Sequence, residues 1–274
     1  MKESMLAQSW QTVRLHENEH VLTITLHRPQ FKNAMNQQMV QELRSIFAQL
    51  QDRRDLFAVV LRGQDGHFCA GGDIKDMAPD PARSRDQQIS DLIQANRNFG
   101  HLLEAVNSCR HPVIGVVEGA VLGGGFGLCC VTDVALAHEQ ASFGLPETSL
   151  GLIPAQIAPF IALRIGLTQA RRLALLGMRF KGRDAKELGL VHSTFTDEAD
   201  LKLQLESVLQ QIRKCAPGAN AVTKKLLLQL AQPDLSGILD QAAESFAQAL
   251  LGAEGIAGRQ AFLEKKSVDW MKLC

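Results

Sequence analysis

VIGVVEGAVLGGGFGLCCV, residues 113–131, decides how the rest of the chain is read. Val113 to Val117 is a short apolar run of the kind that fills a strand buried on both faces. Gly119 to Gly127 then turns sharply, and apolar residues continue through Val131 as a buried helix. Glycine is needed where a backbone must bend hard or come close to a ligand. Strand, glycine-rich turn and buried helix in direct succession are one unit of an α/β fold.

The same grammar extends upstream. A helix is expected from about Gln88 to Cys109, stopped by His111-Pro112, and before it Pro79 to Asp86 is polar and proline-bearing, an exposed segment. Phe57 to Leu61 is another near-continuous apolar run, and it too leads into a glycine loop, with Gly66, Gly71 and Gly72. Val21 to Leu26 alternates with period two and ends at Arg28-Pro29, which reads as a strand and a turn. Asn36 suits a helix N-cap, followed by Met39, Val40, Leu43, Ile46, Phe47 and Leu50 at helical spacing.

Downstream, Asp133 to His138 is a strand, and after about Pro154 strand signals nearly vanish. Helices are expected at Ala155–Ile165, Gln169–Leu176 and Ala185–Leu188, with one short strand near Leu190–Ser193. From Asp197 onward only helical patterns remain, broken at Ala216-Pro217-Gly218, Gln232-Pro233-Asp234 and Gly252. The expected organisation is an α/β core over residues 1–196 and a helical region over 197–274. Helices rich in Leu and Ala at a chain end bury against a second subunit, so an oligomer is expected.

Lys+Arg and Asp+Glu are equal at 29 each, which gives no overall field to draw in nucleic acid or an anionic membrane. Six cysteines without a C-x-x-C pair, in a chain of 274 residues, are the usage of a reducing compartment, not of a disulfide scaffold or a zinc site. The N-terminal stretch MKESMLAQSW has no apolar segment of signal type, and no stretch approaches the roughly 18 apolar residues of a membrane span. A cytoplasmic globular protein is expected.

Chemistry concentrates in the two glycine loops, His67 to Lys75 and Glu118 to Gly127. Read alone, each is equally a tight strand-to-helix turn. If both open at the same end of the sheet, one backbone N–H from each can converge on a single oxygen. Each such donor is worth roughly 2.7–4 kcal/mol to a transition state that carries negative charge on that oxygen. A dinucleotide reading of the second loop is weaker still, because Gly123, Gly125 and Gly127 lack the final spacing of that fingerprint.

VLTITLHRPQFKNAMN (21–36), HFCAGGDIKDM (67–77), VIGVVEGAVLGGGFGL (113–128) and ASFGLPETSLGLIPA (141–155) stand in an order and spacing that resemble the enoyl-CoA hydratase/isomerase (crotonase) superfamily over nearly the whole chain. The tail Ala261 to Lys266 resembles the family's C-terminal helix. The resemblance implies a crotonase-like spiral core of ββα units with a helical C-terminal oligomerisation region, a homotrimer or a dimer of trimers. It implies oxyanion donors at the N–H groups of Gly72 and Gly124. Ala70 would contact the adenine end of coenzyme A, while Lys32, Lys75 and a neighbouring subunit's Lys265 or Lys266 would lie near its phosphates. As residues alone, these lysines equally read as solvated surface charges. Neither metal nor separate cofactor is implied, since coenzyme A is part of the substrate.

Glu147, in an otherwise apolar stretch, is a turn or capping carboxylate on its own reading. By resemblance it is the group that exchanges a proton with the substrate's α-carbon, and burial there would raise its pKa toward neutrality. One position departs from the pattern. Typical hydratases carry a second glutamate where this chain has Gly127. Either Glu147 performs both proton transfers, or another group holds the water, or the reaction is not hydration.

The segment Ile153 to Phe160, IPAQIAPF, is similar to that of bacterial hydratases of branched, carboxylated enoyl thioesters, the 3-methylglutaconyl and isohexenylglutaconyl types, and GLTQARRLAL (166–175) supports this. On its own it is a helix start with Pro154 in the first turn. The resemblance therefore implies a hydratase of a 3-substituted glutaconyl thioester. Arg97 and His101 are candidates to meet its distal carboxylate. The rivals are a double-bond isomerase using Glu147 alone and a catalytically silent homologue that binds acyl-CoA, or RNA. Neutral charge speaks against RNA, and the presence of Glu147 against silence.

Overall fold

The doubly apolar runs form the middle of a six-stranded sheet in the computed structural model, which describes residues 5–73, 82–229, 249 and 252–273. Its strands are β1 (Val13–Asn18), β2 (Val21–Leu26), β3 (Ala58–Gly63), β4 (Val113–Val117), β6 (Val134–His138) and β9 (Ser193–Phe195), in that spatial order. The first pair is antiparallel and every other pair parallel. A second sheet of three short strands, β5 (Ala120–Leu122), β7 (Ser142–Gly144) and β8 (Arg179–Lys181), accompanies it.

Alternation along the central strands sorts side chains to two cores. Val59, Leu61, Val113 and Val117 join the larger cluster, with Met39, Leu43, Ile46 and Phe47 of α1 (Gln37–Leu50). Val60, Ile114 and Val116 face the other way, onto Leu201 and Leu209 of α6 (Glu198–Arg213). Burying each such side chain contributes about 1.5–3 kcal/mol. A parallel sheet covered on both faces explains why these runs are continuous rather than alternating. It also makes α6, within the helical C-terminal part, one wall of the sheet.

Between these elements run α2 (Arg85–Asn107), α3 (Gly124–Cys130), α4 (Ala158–Leu175) and α5 (Gly182–Glu187), followed by α7 (Pro217–Gln229) and α8 (Ala253–Leu263). Helix α2 begins earlier than its apolar pattern because Ser84 and Gln87 form a capping box. The two helices expected on either side of Gly166 are one element with a break there, where Gly166 takes φ 77°. That element begins at Ala158, so Pro154 lies before it and not in its first turn. The strand expected near Leu190 starts at Ser193. Residues 82–86 of the segment expected to be exposed are exposed, while 79–81 and the break at 232–234 lie outside the described residues.

Candidate active site

One β-bridge locks the two glycine loops together, and a second ties the first loop to Met35. Cys69 pairs in parallel with Val121: its N–H donates 2.9 Å to Ala120 O, and its carbonyl accepts from Leu122 N–H at 3.0 Å. Gly72 pairs with Met35 in the same way, through Met35 N–H to Gly71 O (2.8 Å) and Asp73 N–H to Met35 O (2.9 Å). Because the neighbours of Gly72 make these bonds, its own N–H and C=O point to the opposite side. Gly71 holds φ +102°, which L side chains rarely adopt, and a Cβ there would fall 3.1 Å from Leu122 O and 3.8 Å from Gly124 N. The first loop thus lies against the start of α3. Gly124 is in the first turn, where N–H groups have no intrahelical partner. Among the described residues, neither Gly72 N–H nor Gly124 N–H donates to a backbone carbonyl.

Several contacts hold the first loop in place. Arg28 reaches Asp73 at 2.9 Å and Ala34 O at 2.6 Å, with its guanidinium 4.5 Å over the Phe31 ring. Cys69 Sγ accepts the N–H of Gly71 at 3.4 Å. Burial pushes that thiol up to about 12, so it stays protonated.

Strand β7 delivers the carboxylate. Its Gly144 carbonyl accepts from Gly123 N–H at 3.0 Å, and Pro146 then starts a 3-10 turn over Glu147–Leu150. A Cβ on Gly123 would fall 2.7 Å from Glu147 Oε1, and Gly123 itself holds φ +49°. Glycine is therefore required twice at this position, for the backbone and for the seat of the carboxylate. Glu147 Oε2 is buried without a hydrogen-bond partner among the described residues. Burial raises the pKa of Glu147 above the ordinary carboxylate value, opposed only by a backbone hydrogen bond. A carboxylate with one unpartnered oxygen, beside two N–H donors that bond no backbone carbonyl, can move a proton at a carbon whose neighbouring carbonyl oxygen those donors hold.

The position of the missing glutamate is filled. A Cβ on Gly127 would fall 2.1 Å from Ile157 Cγ2 and 2.7 Å from Ile157 Cβ. Gly123 and Gly127 are four apart, joined by Gly127 N–H to Gly123 O at 3.0 Å, so they share one face of α3. On that face Glu147 stands over one glycine and Ile157, 3 % exposed, over the other. The residue before it does the same on another helix: Gln156 Oε1 lies 2.0 Å from where a Cβ of Gly100 in α2 would be. Beside Gly100, the ring of Phe99 comes within 3.2 Å of a Cβ placed on Gly124, and Met35 Cε within 3.0 Å.

The remaining residues singled out in the sequence divide. Ala70 donates its N–H to Lys32 O at 3.0 Å, so Lys32, an exposed residue in left-handed conformation, sits beside the first loop. Lys75 lies outside the described residues. Lys265 and Lys266 are exposed just beyond α8, and Lys266 pairs with Glu264 at 2.8 Å. Arg97 and His101 are both bonded to Glu104, at 2.7 and 3.0 Å. Sequence reasoning missed Met35, Phe99, Gln156 and Ile157. The segment 153–160 stood out as unusual, but its contacts with Gly100 and Gly127 leave no local sequence signal. Among the described residues no group of three or more His, Cys, Asp or Glu side chains is placed to hold a metal ion, and no helix is long and apolar enough to cross a membrane.

Comparison with known proteins gives a consistent result. Residues 16–272 match the family described as enoyl-CoA hydratase/isomerase. A solved structure of Pseudomonas aeruginosa AtuE is 54% identical, with a TM-score of 0.91, covering 95% of this chain and 100% of that one. An enoyl-CoA hydratase/isomerase from Marinobacter aquaeolei is 48% identical with a TM-score of 0.89, over 95% of this chain and 99% of that one. The enoyl-CoA hydratase ACTT6 of Alternaria alternata is 30% identical over 250 residues, covering 90% of this chain and 80% of that protein.

Proposed function

This chain belongs to the enoyl-CoA hydratase/isomerase family, and within it we propose that the protein adds water across the α,β double bond of a 3-branched enoyl-CoA thioester. The observation that carries this is the half-buried Glu147 seated on Gly123, its Oε2 buried without a partner among the described residues, next to the N–H groups of Gly72 and Gly124. The thioester oxygen accepts from both N–H groups, which stabilises the enolate as electrons leave the double bond. Water adds at Cβ while Glu147 takes one of its protons, and the same carboxyl returns a proton to Cα. One carboxylate thereby serves both transfers, and burial shifts its pKa upward, the direction that a group which must both take and give a proton needs. Coenzyme A enters as part of the substrate, and the reaction as written needs no metal or redox group.

The similarity of IPAQIAPF to hydratases of carboxylated, branched thioesters points to a 3-substituted glutaconyl thioester as substrate. In this reading Ala70 meets the adenine, and Lys32, Lys75 and a neighbouring subunit's Lys265 or Lys266 meet the phosphates, in a cytoplasmic homotrimer or dimer of trimers. Exposed Leu163, Leu167, Leu175 and Leu176 on and just after α4 supply apolar surface for such contacts. A second reading, a double-bond isomerase, is favoured by one observation: Ile157 fills the place of a second carboxylate, and an isomerase needs only one.

The test follows enoyl absorbance with crotonyl-CoA, 3-methylcrotonyl-CoA and 3-methylglutaconyl-CoA, with mass analysis of products. Absorbance loss with the carboxylated substrate, a product heavier by one water, and a fall of about 10²–10⁴-fold in Glu147→Gln are expected. An isomeric product of unchanged mass gives the second reading. No turnover of any thioester, or full activity in Glu147→Gln, overturns the assignment.

A further inference from the structure

Consecutive residues of the strap before α4 each fit into a hole left by a glycine, Ile157 over Gly127 and Gln156 over Gly100. Ile157 faces the reacting end of the site, over the same face of α3 as Glu147. Gln156 lies elsewhere, against α2. Its Nε2 donates to Asn96 Oδ1 at 2.9 Å, and Asn96 precedes Phe99 and Gly100 by three and four residues, so all three lie on one side of the helix. Phe99 approaches Gly124. Gln156 over Gly100 and Asn96 one turn before it therefore flank Phe99, the residue that packs on Gly124.

The geometry points to Asn96 and Gln156 as the residues that bind the distal carboxylate of the substrate, a role that rests on the glutaconyl-type reading above. Three physical arguments support it. First, a glutaconyl chain places its far carboxyl carbon four carbon–carbon bonds from the thioester carbon, about 5 Å when extended, a reach of the same order as the single turn of α2 from Asn96 to Gly100 that flanks Phe99. Second, two carboxamides carry four N–H groups, and the bond between them uses one; among the described residues no acceptor takes the other three. Whichever way the two amides are turned, donors remain to meet an acceptor-only carboxylate. Third, Arg97 Nη1 lies 2.6 Å from the same point over Gly100 that Gln156 Oε1 approaches to 2.0 Å, which places a further N–H donor beside the pair. Arg97 does so while its other terminal nitrogen is held by Glu104. A Cβ on Gly100 would have to displace the ends of the Gln156 and Arg97 side chains.

The experiment compares 3-methylglutaconyl-CoA with 3-methylcrotonyl-CoA, which differ only in the distal carboxylate. The readout is the ratio of kcat/KM for the charged thioester to that for the neutral one, in wild type, Gln156→Glu and Asn96→Asp. Each variant keeps the side-chain shape and replaces donors by a like charge. Asn96 is exposed on α2, so Asn96→Asp reports even if Gln156→Glu does not fold. The ratio is expected to fall by about tenfold to a hundredfold, through KM, in both variants. If wild type turns over the carboxylated thioester and the ratio stays within about threefold of wild type in each folded variant, this assignment is wrong while the proposed function stands. If wild type ignores the carboxylated thioester altogether, the substrate reading fails and takes this one with it.

Discussion

Replacing Gly127 with alanine sets two effects of opposite sign against each other. By helix propensity alone, Gly→Ala in the interior of a helix stabilises by about 0.5–1 kcal/mol. In this fold the new methyl would fall 2.1 Å from Ile157 Cγ2 and 2.7 Å from its Cβ, with the carbon–carbon optimum near 3.5–4 Å. Ile157 is 3 % exposed, so it has little room to yield, and overpacking of this kind costs about 1–3 kcal/mol. The clash outweighs propensity, and a net loss of about 1–2 kcal/mol is expected, a drop in Tm of roughly 2–8 °C. Thermal and urea unfolding of wild type, Gly127→Ala, Ile157→Ala and the double variant would measure it. Ile157→Ala alone costs about 2–5 kcal/mol as a cavity, but it deletes the 2.1 Å partner. Adding Gly127→Ala in that background should therefore cost at least about 1 kcal/mol less than in wild type, a coupling within the range for residues in contact. A Gly127→Ala protein more stable than wild type, or strictly additive effects, would refute the steric account of why this chain lacks the second carboxylate.

Two further outcomes follow from ionisation. Burial raises the pKa of Glu147, so its contribution to stability is full below the unfolded glutamate value, about 4.3, and is lost as pH rises through the folded value. The stability of Glu147→Gln relative to wild type should thus grow as pH rises from about 4 through the raised folded value; a difference independent of pH would mean that the carboxylate is solvated. For the thiols, burial pushes Cys69 up to about 12 and Cys109 and Cys129 to about 11, while Cys215 is exposed. Iodoacetamide at about pH 8, mapped by peptide, should label Cys215 in the native protein and those three only after unfolding. Labelling of native Cys69 at the rate of Cys215 would show that the loop presenting Gly72 is not closed against β5.

Legibility followed the range of the forces involved. The strand, turn and helix of 113–131 could be read because each is set locally, by doubly buried apolar residues and by glycines that must bend. Glu147 stood out for its apolar surroundings, and the raised pKa agrees. Strand β1 was missed because an edge strand with one wet face, VRLHEN, carries four polar residues to two apolar ones. The three-residue strands β5, β7 and β8 are too short to show a period, yet they seat the carboxylate, since β7 pairs with β5 just before Gly123. Arg97 and His101 were reasonable cations for a distal carboxylate until Glu104, also on α2, took both.

The absent glutamate and the unusual IPAQIAPF segment entered the sequence as two separate oddities, and packing makes them one. A carboxylate at position 127 has nowhere to go while Ile157 occupies its Cβ position. Removing Ile157 alone leaves a hole on the same helix face as Glu147, which would admit water to the carboxylate and relax the burial that raises its pKa. Ile157 cannot be moved without Gln156, whose carboxamide is anchored on α2 through Asn96 and seated on Gly100. Conversion to a two-carboxylate site therefore requires changes at 127 and 157 together, with the far end of the acyl site disturbed through 156. One short strap thus couples how protons move at Cα to what the site holds beyond Cβ, which is why both departures have to be read as a single feature.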